Sequence, residues 1–187
     1  MRATGRSPRD RMIYNLLMTA EPGGRAGARR PWLAAFVALV LSTGCGPSID
    51  VPTALQVTQV SSGWFDAGLD PLGRNKLVPT VSFRLENLTA DTVQYLQLNA
   101  VFKRQNETEE WGNAFVRAVG TEGLAAGRTT EILRLESGRG YTGEQSRAEM
   151  LTHRDFVDVT MDLFVKHRGD QWVFLDTVPV DRQLLTR

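Results

Sequence analysis

Val157-Asp158-Val159-Thr160-Met161-Asp162-Leu163-Phe164-Val165 places an apolar side chain at every odd position, with Asp158, Thr160 and Asp162 between them. Successive side chains of a strand point to opposite faces, so this period of two predicts a strand with one buried and one solvated face. The next residues, His167-Arg168-Gly169-Asp170, are few enough to close a hairpin onto a further strand over Gln171–Val178. Two other stretches carry the same signature. Val81, Phe83 and Leu85 alternate with Ser82, Arg84 and Glu86, and Leu96, Leu98, Ala100 and Phe102 alternate with Gln97, Asn99 and Val101.

Leu55–Val60, Asn113–Val119 and Thr129–Leu135 read as further strands. Turn residues separate them at Asn87-Leu88-Thr89-Ala90-Asp91, at Glu122-Gly123 with Gly127, and at Ser137-Gly138-Arg139-Gly140. One segment departs from the pattern. Gly143–His153 is rich in helix formers, and Thr142 with Gln145 three residues on predicts a capping box and one short helix. About seven strands with one polar face each, plus that helix, point to a mainly β protein, an antiparallel β-sandwich.

Val81-Ser82-Phe83-Arg84-Leu85-Glu86-Asn87 followed by Val93–Phe102 resembles the core of immunoglobulin-like bacterial envelope domains of the FxLYD type. In these an alternating strand ends in Asn and a small polar turn before a second alternating strand. The resemblance implies an immunoglobulin-like sandwich. With Cys45 as the only cysteine, the disulfide typical of immunoglobulins cannot be present.

The first part of the chain is built differently. Arg29-Arg30-Pro31 leads into the apolar run Trp32–Leu41, then Ser42-Thr43-Gly44-Cys45. Ten helical residues rise about 15 Å, half of a ~30 Å hydrocarbon core, so the run is too short to span a membrane and fits a signal-peptide core. Leu41-Ser42-Thr43-Gly44-Cys45 resembles a lipobox, with the leucine one place further from the cysteine than the usual pattern and Ser42 in its slot. The resemblance implies recognition of Arg29, Arg30, Leu41, Ser42, Thr43 and Gly44 by the export and processing machinery. It also implies lipidation of Cys45 as the first residue of the mature protein. Two or more acyl chains anchor stably where one does not. An ordinary secretory signal with a chance cysteine is the alternative, and the adjacent arginines also resemble a twin-arginine signal.

The chain accordingly divides into residues 1–44, a signal peptide with an over-long N-terminal extension in which Met12 or Met18 could be the start; residues 45–53, a lipidated tether; and residues 54–187, the sandwich. Gly46 after the cysteine, in place of aspartate, leans towards the outer membrane, facing the periplasm.

Residues 1–44 hold seven arginines and two acidic residues, which leaves 15 basic and 19 acidic residues in the mature part. A mildly acidic domain argues against nucleic acid as a partner, because phosphate backbones need a concentrated basic surface. No nucleophile elbow or phosphate loop is present, so neither catalysis nor a cofactor is expected. His153 and His167, at a helix end and a turn, read as surface residues without metal-ligand spacing. Glu107, Glu109 and Glu110 beside Asn106 read as a charged hairpin tip rather than a calcium loop.

Among the aromatics, Trp64, Trp111 and Phe115 are the candidates for a partner surface, should they prove exposed together. Trp172 and Phe174 are expected to share a strand face. The expected function is a non-enzymatic, lipid-anchored interaction or structural module whose edge strand, Trp111–Val119, recruits an envelope protein by strand addition. The alternative is a lipoprotein that binds a small ligand.

Overall fold

The computed structural model describes residues 49 to 185. Arg29, Arg30, Leu41, Ser42, Thr43, Gly44 and Cys45 lie outside the described residues. The described chain is a β-sandwich of nine strands and two short helical segments. In order these are α1 (Val51–Ala54), β1 (Leu55–Leu69), β2 (Asn75–Asn87), β3 (Leu96–Arg104), β4 (Gly112–Val119), β5 (Leu133–Glu136), β6 (Tyr141–Gly143), α2 (Arg147–Thr152), β7 (Val159–His167), β8 (Val173–Pro179) and β9 (Leu184–Leu185).

One sheet has the order β5-β2-β1-β9, with β6 also paired to β2, and the other has the order β4-β3-β7-β8. All pairings are antiparallel except the two-residue parallel contact of β1 with β9.

The alternation sets the core. Val159, Met161, Leu163 and Val165 of β7 face inward against Leu96, Leu98, Ala100 and Phe102 of β3, and Val81, Phe83 and Leu85 of β2 close the other side. Burial of each such leucine, phenylalanine or valine is worth about 1.5–3 kcal/mol relative to exposure. His167 continues the inward set of β7 and is buried, which corrects its reading as a surface turn residue. The His167–Asp170 turn does close the β7–β8 hairpin, with Asp170 N–H donating to His167 C=O at 3.0 Å.

β2 is six residues longer at its start than its alternation suggested. Leu77 to Val81 are buried without interruption, in a strand that has β1 on one side while β5 and β6 share the other. Pro79 explains the sharing. Proline has no N–H to donate to a ladder, and Pro79 sits between the partners of β6 (Asn75 to Leu77) and those of β5 (Thr80 to Phe83). Its C=O accepts from Ser137 N–H at 3.0 Å, where the chain crosses from one partner strand to the other.

The second helical segment begins later than expected. Thr142 and Gly143 pair with Lys76 and Asn75 in β6, so they cannot start a helix. The capping box is formed by Ser146 and Glu149 instead, with Ser146 N–H donating to the Glu149 carboxylate at 2.9 Å and Ser146 Oγ accepting from Glu149 N–H at 3.4 Å. At the other end of the chain, Val51 and Ala54 are buried in the core. Packed structure therefore begins inside the stretch read as tether.

The sandwich has two ends. α1, the β2–β3 and β4–β5 connections and the β7–β8 turn gather at one end, since Leu55 pairs with Asn87 and Leu96 with both Val119 and His167. The β1–β2 and β3–β4 hairpins lie at the opposite end.

Candidate functional site

The three aromatics singled out by sequence separate in the fold. Trp64, on β1, is fully buried, so it belongs to no partner surface. Its indole stacks on Tyr141 with ring centres 5.5 Å apart and meets the edge of Phe156 at 4.6 Å. Trp111 lies just before β4 and is half-buried, its ring 5.0 Å from the same Tyr141. Trp64 and Trp111 are thus brought together, through Tyr141, as packing at the hairpin end of the sandwich. Tyr141 donates its hydroxyl to Val157 C=O at 3.2 Å, and burial pushes its phenol above the ordinary tyrosine value.

Phe115 goes the other way. It stands on the outer face of β4 and is 61% exposed. Asn99 of β3 pairs with both Phe115 and Phe164, and Phe164 pairs with Phe174, so one row crosses the whole outer face of this sheet. Trp172, at the start of β8 and 38% exposed, reaches back over the face to meet the edge of Phe115 at 5.8 Å. Phe164 and Phe174 make the same edge contact at 5.8 Å. The sequence pairing of Trp172 with Phe174 missed this, because Trp172 precedes the strand and bends across it.

Among the described residues β4 is an edge strand, paired to β3 alone within its sheet. Asn113 C=O accepts from Gly138 N–H at 3.3 Å, on the side away from β3. Peptide groups alternate in direction along an antiparallel strand, so those of Phe115 and Arg117 also face away from β3, onto the open edge. Two other edges are blunted. β1 is broken by a bulge at Gln59, and β8 carries a bulge in its pairing and Pro179 at its end.

A groove of about 450 Å³ adjoins this edge, lined by Tyr95, Gln97, Arg117 and Arg168. Two of these residues hold an uncommon backbone. Tyr95 and Arg168 adopt φ of 56° and 52°, the left-handed region that L side chains rarely occupy. Arg168 N–H donates to Tyr95 C=O at 2.9 Å, locking the two together. The strand pairing puts Gln97 beside Arg117, so the two arginines flank the start of β3 from opposite sides.

Neither arginine forms an ion pair within the described residues, whereas the acids nearby are engaged. Glu122 turns back to accept from Gly120 N–H at 2.8 Å, the main reason its carboxyl is held below the ordinary value, and Arg117 is the least of the causes. Asp170 lies 3.5 Å from His167 Nδ1.

The remaining motifs are structural. Asn87 is fully buried, and both hydrogens of its amide are used, to Asp91 C=O at 2.8 Å and Leu124 C=O at 2.9 Å. Glu107 pairs with Arg104 at 2.8 Å and Glu110 accepts from Asn113 at 2.6 Å. Among the described residues no three His, Cys, Asp or Glu side chains gather closely enough to hold a metal ion.

No family model, curated protein or solved structure matches the chain.

Proposed function

We propose that this protein is a non-enzymatic lipoprotein, held by acyl chains on Cys45 at an envelope membrane and facing the periplasm, that recruits a protein partner through the β4 edge of its sandwich. The membrane is the outer one on the Gly46 rule. The observation that carries the partner surface is Phe115, exposed on an unblunted edge strand and backed by Trp172. Exposed aromatics beside open backbone donors and acceptors suit strand addition, in which main-chain hydrogen bonds supply affinity and alternate side chains supply specificity. The export signal and the lipobox resemblance support the anchor.

Intact mass spectrometry with membrane fractionation tests the anchor. Wild type should sediment with membranes and begin at an acylated Cys45, while Cys45→Ser should remain unprocessed or unlipidated. An unmodified N-terminus at another residue would sink the reading. A photo-crosslinker at Asn113 tests the edge in the same cells. It should give one discrete adduct that Phe115→Glu abolishes, and an adduct indifferent to Phe115→Glu would remove β4 as the recruiting edge.

A second reading, a lipoprotein that binds a small ligand, has one observation in its favour, the groove between Arg117 and Arg168.

A further inference from the structure

We infer that the Tyr95–Gln97–Arg117–Arg168 groove takes the phosphate of an anionic phospholipid in the membrane that anchors the chain. The inference rests on the lipid-anchored reading above. Four observations lead to it.

The groove lies at the end of the sandwich where the described chain begins, at Ile49. Cys45 is four residues earlier, and four residues reach at most about 14 Å even fully extended. A bilayer holding the acyl chains therefore lies within that distance of Ile49. Nine-residue strands such as β3 and β7 extend about 30 Å, which carries the hairpin end well out of reach.

The groove is cationic in detail although the mature chain is acidic overall. Arg117 and Arg168 have no ion-pair partner within the described residues, and of the acids beside them Glu122 is turned to Gly120 N–H and Asp170 lies against His167. Guanidinium groups bind phosphate oxygens through two parallel donors, and Tyr95 and Gln97 line the same groove.

Tyr95 is partly exposed at this end. Such an amphipathic ring favours the headgroup level of a membrane.

Arg168 keeps an arginine in a left-handed conformation that glycine would adopt freely, although Gly169 is its neighbour. Strain of this kind persists where the surrounding structure over-determines it, here through the bond from Arg168 N–H to Tyr95 C=O, and it holds the Arg168 side chain at the groove.

Each basic residue near an anionic surface contributes modestly. The acyl anchor holds the groove at a high effective concentration of lipid, so a weak site suffices to orient the sandwich with its hairpin end directed away from the bilayer.

The test uses the soluble domain from Gly46 onward, which encloses its own core, and so does not depend on whether Cys45 is acylated. Its co-sedimentation is measured with vesicles of phosphatidylcholine containing 40 mol% phosphatidylglycerol and with phosphatidylcholine alone. Partitioning should be at least tenfold higher on the anionic vesicles at low salt and should be lost in 0.5 M NaCl. Arg117→Ala and Arg168→Gly should each reduce it about fivefold. The thermal midpoint of Arg168→Gly should be no lower than wild type, which separates lost binding from lost folding. Lys103→Ala, which removes a lysine paired to Asp162 on the same face, should leave partitioning unchanged. Equal partitioning on the two vesicles, or an equal loss in Lys103→Ala, would overturn the inference. Inorganic phosphate that displaces the domain from vesicles at low millimolar concentration would instead assign the groove to a free anion.

Discussion

Replacing Asn87 probes the link from sequence motif to fold most directly. Its amide donates to Asp91 C=O and Leu124 C=O, and its oxygen accepts from Thr89 N–H at 2.9 Å and Thr89 Oγ at 2.7 Å. This one side chain ties the end of β2 to the turn that follows it and to the β4–β5 connection. Each such bond is worth about 0.5–1.5 kcal/mol net. The orphaned acceptors are partly protected in Asn87→Ala, because Leu124 C=O keeps Val93 N–H at 3.0 Å and Asp91 C=O takes the Thr89 hydroxyl, 2.9 Å away, once Asn87 Oδ1 no longer accepts it. We therefore expect a loss of about 3 kcal/mol, a large share of the 5–15 kcal/mol typical of a domain. With a urea dependence of about 1.5 kcal/mol per M, the midpoint followed by fluorescence of the buried Trp64 should fall by about 2 M at unchanged slope.

Asn87→Asp sharpens the test. Its carboxylate would face two carbonyl oxygens in a buried site, so its folded-state pKa must rise above the unfolded value near 3.9. Stability relative to wild type is then retained below that unfolded value and lost as pH rises towards the folded one. The penalty should be larger at pH 7 than at pH 3.5 by at least about 1.4 kcal/mol, the free energy of a tenfold change in proton affinity. A loss below about 1 kcal/mol for alanine, or an aspartate penalty independent of pH, would refute the proposed role of Asn87.

Two further predictions concern the core. Burial pushes His167 below the ordinary histidine value, against the pull of Asp170 and with Arg168 adding to the push. The unfolded chain therefore binds its proton first, so stability should fall as pH drops below about 6.5. Urea titrations between pH 8 and pH 5 should show that slope, and His167→Gln should flatten it. A Cβ at Gly140 would run into Leu77 C=O and would meet Val78 Cγ1 at 2.8 Å, whereas one at Gly138 would meet nothing within 4 Å. Gly140→Ala should cost about 2–3 kcal/mol in urea unfolding and Gly138→Ala under about 0.5 kcal/mol.

The fold was legible wherever one face of a strand meets solvent, as in β3 and β7, because there the alternation is written into the residues. It was illegible where that asymmetry is absent. Leu77 to Val81 are buried without alternation, so the first half of β2 carries no period to read. The β6 and β9 strands are three and two residues long, and their partners select them, not their own composition. The same cause moved the helix start. Thr142 and Ser146 both open plausible caps, and the pairing of Thr142 with Lys76 decides between them.

The site was less legible than the fold, for a related reason. Trp64 and Phe115 are both aromatic residues on strands, and nothing local says that one packs between the sheets and the other outside. Phe115 could have been placed by parity, since Ala114, Val116 and Ala118 supply the inward set of β4 and leave it with Asn113 and Arg117 outside. The partners of that face could not. Trp172 arrives from the far edge of the sheet, and Tyr95, Arg117 and Arg168 are joined only by the β4-β3-β7 order. Sequence-distant residues converge only after three strands have paired, so their pattern exists in the sheet and not in the chain. The left-handed backbone of Tyr95 and Arg168 has no local signal either, since neither residue type favours it. The hydrogen bond from Arg168 to Tyr95 imposes it, and that bond forms only once β3 and β7 are in register.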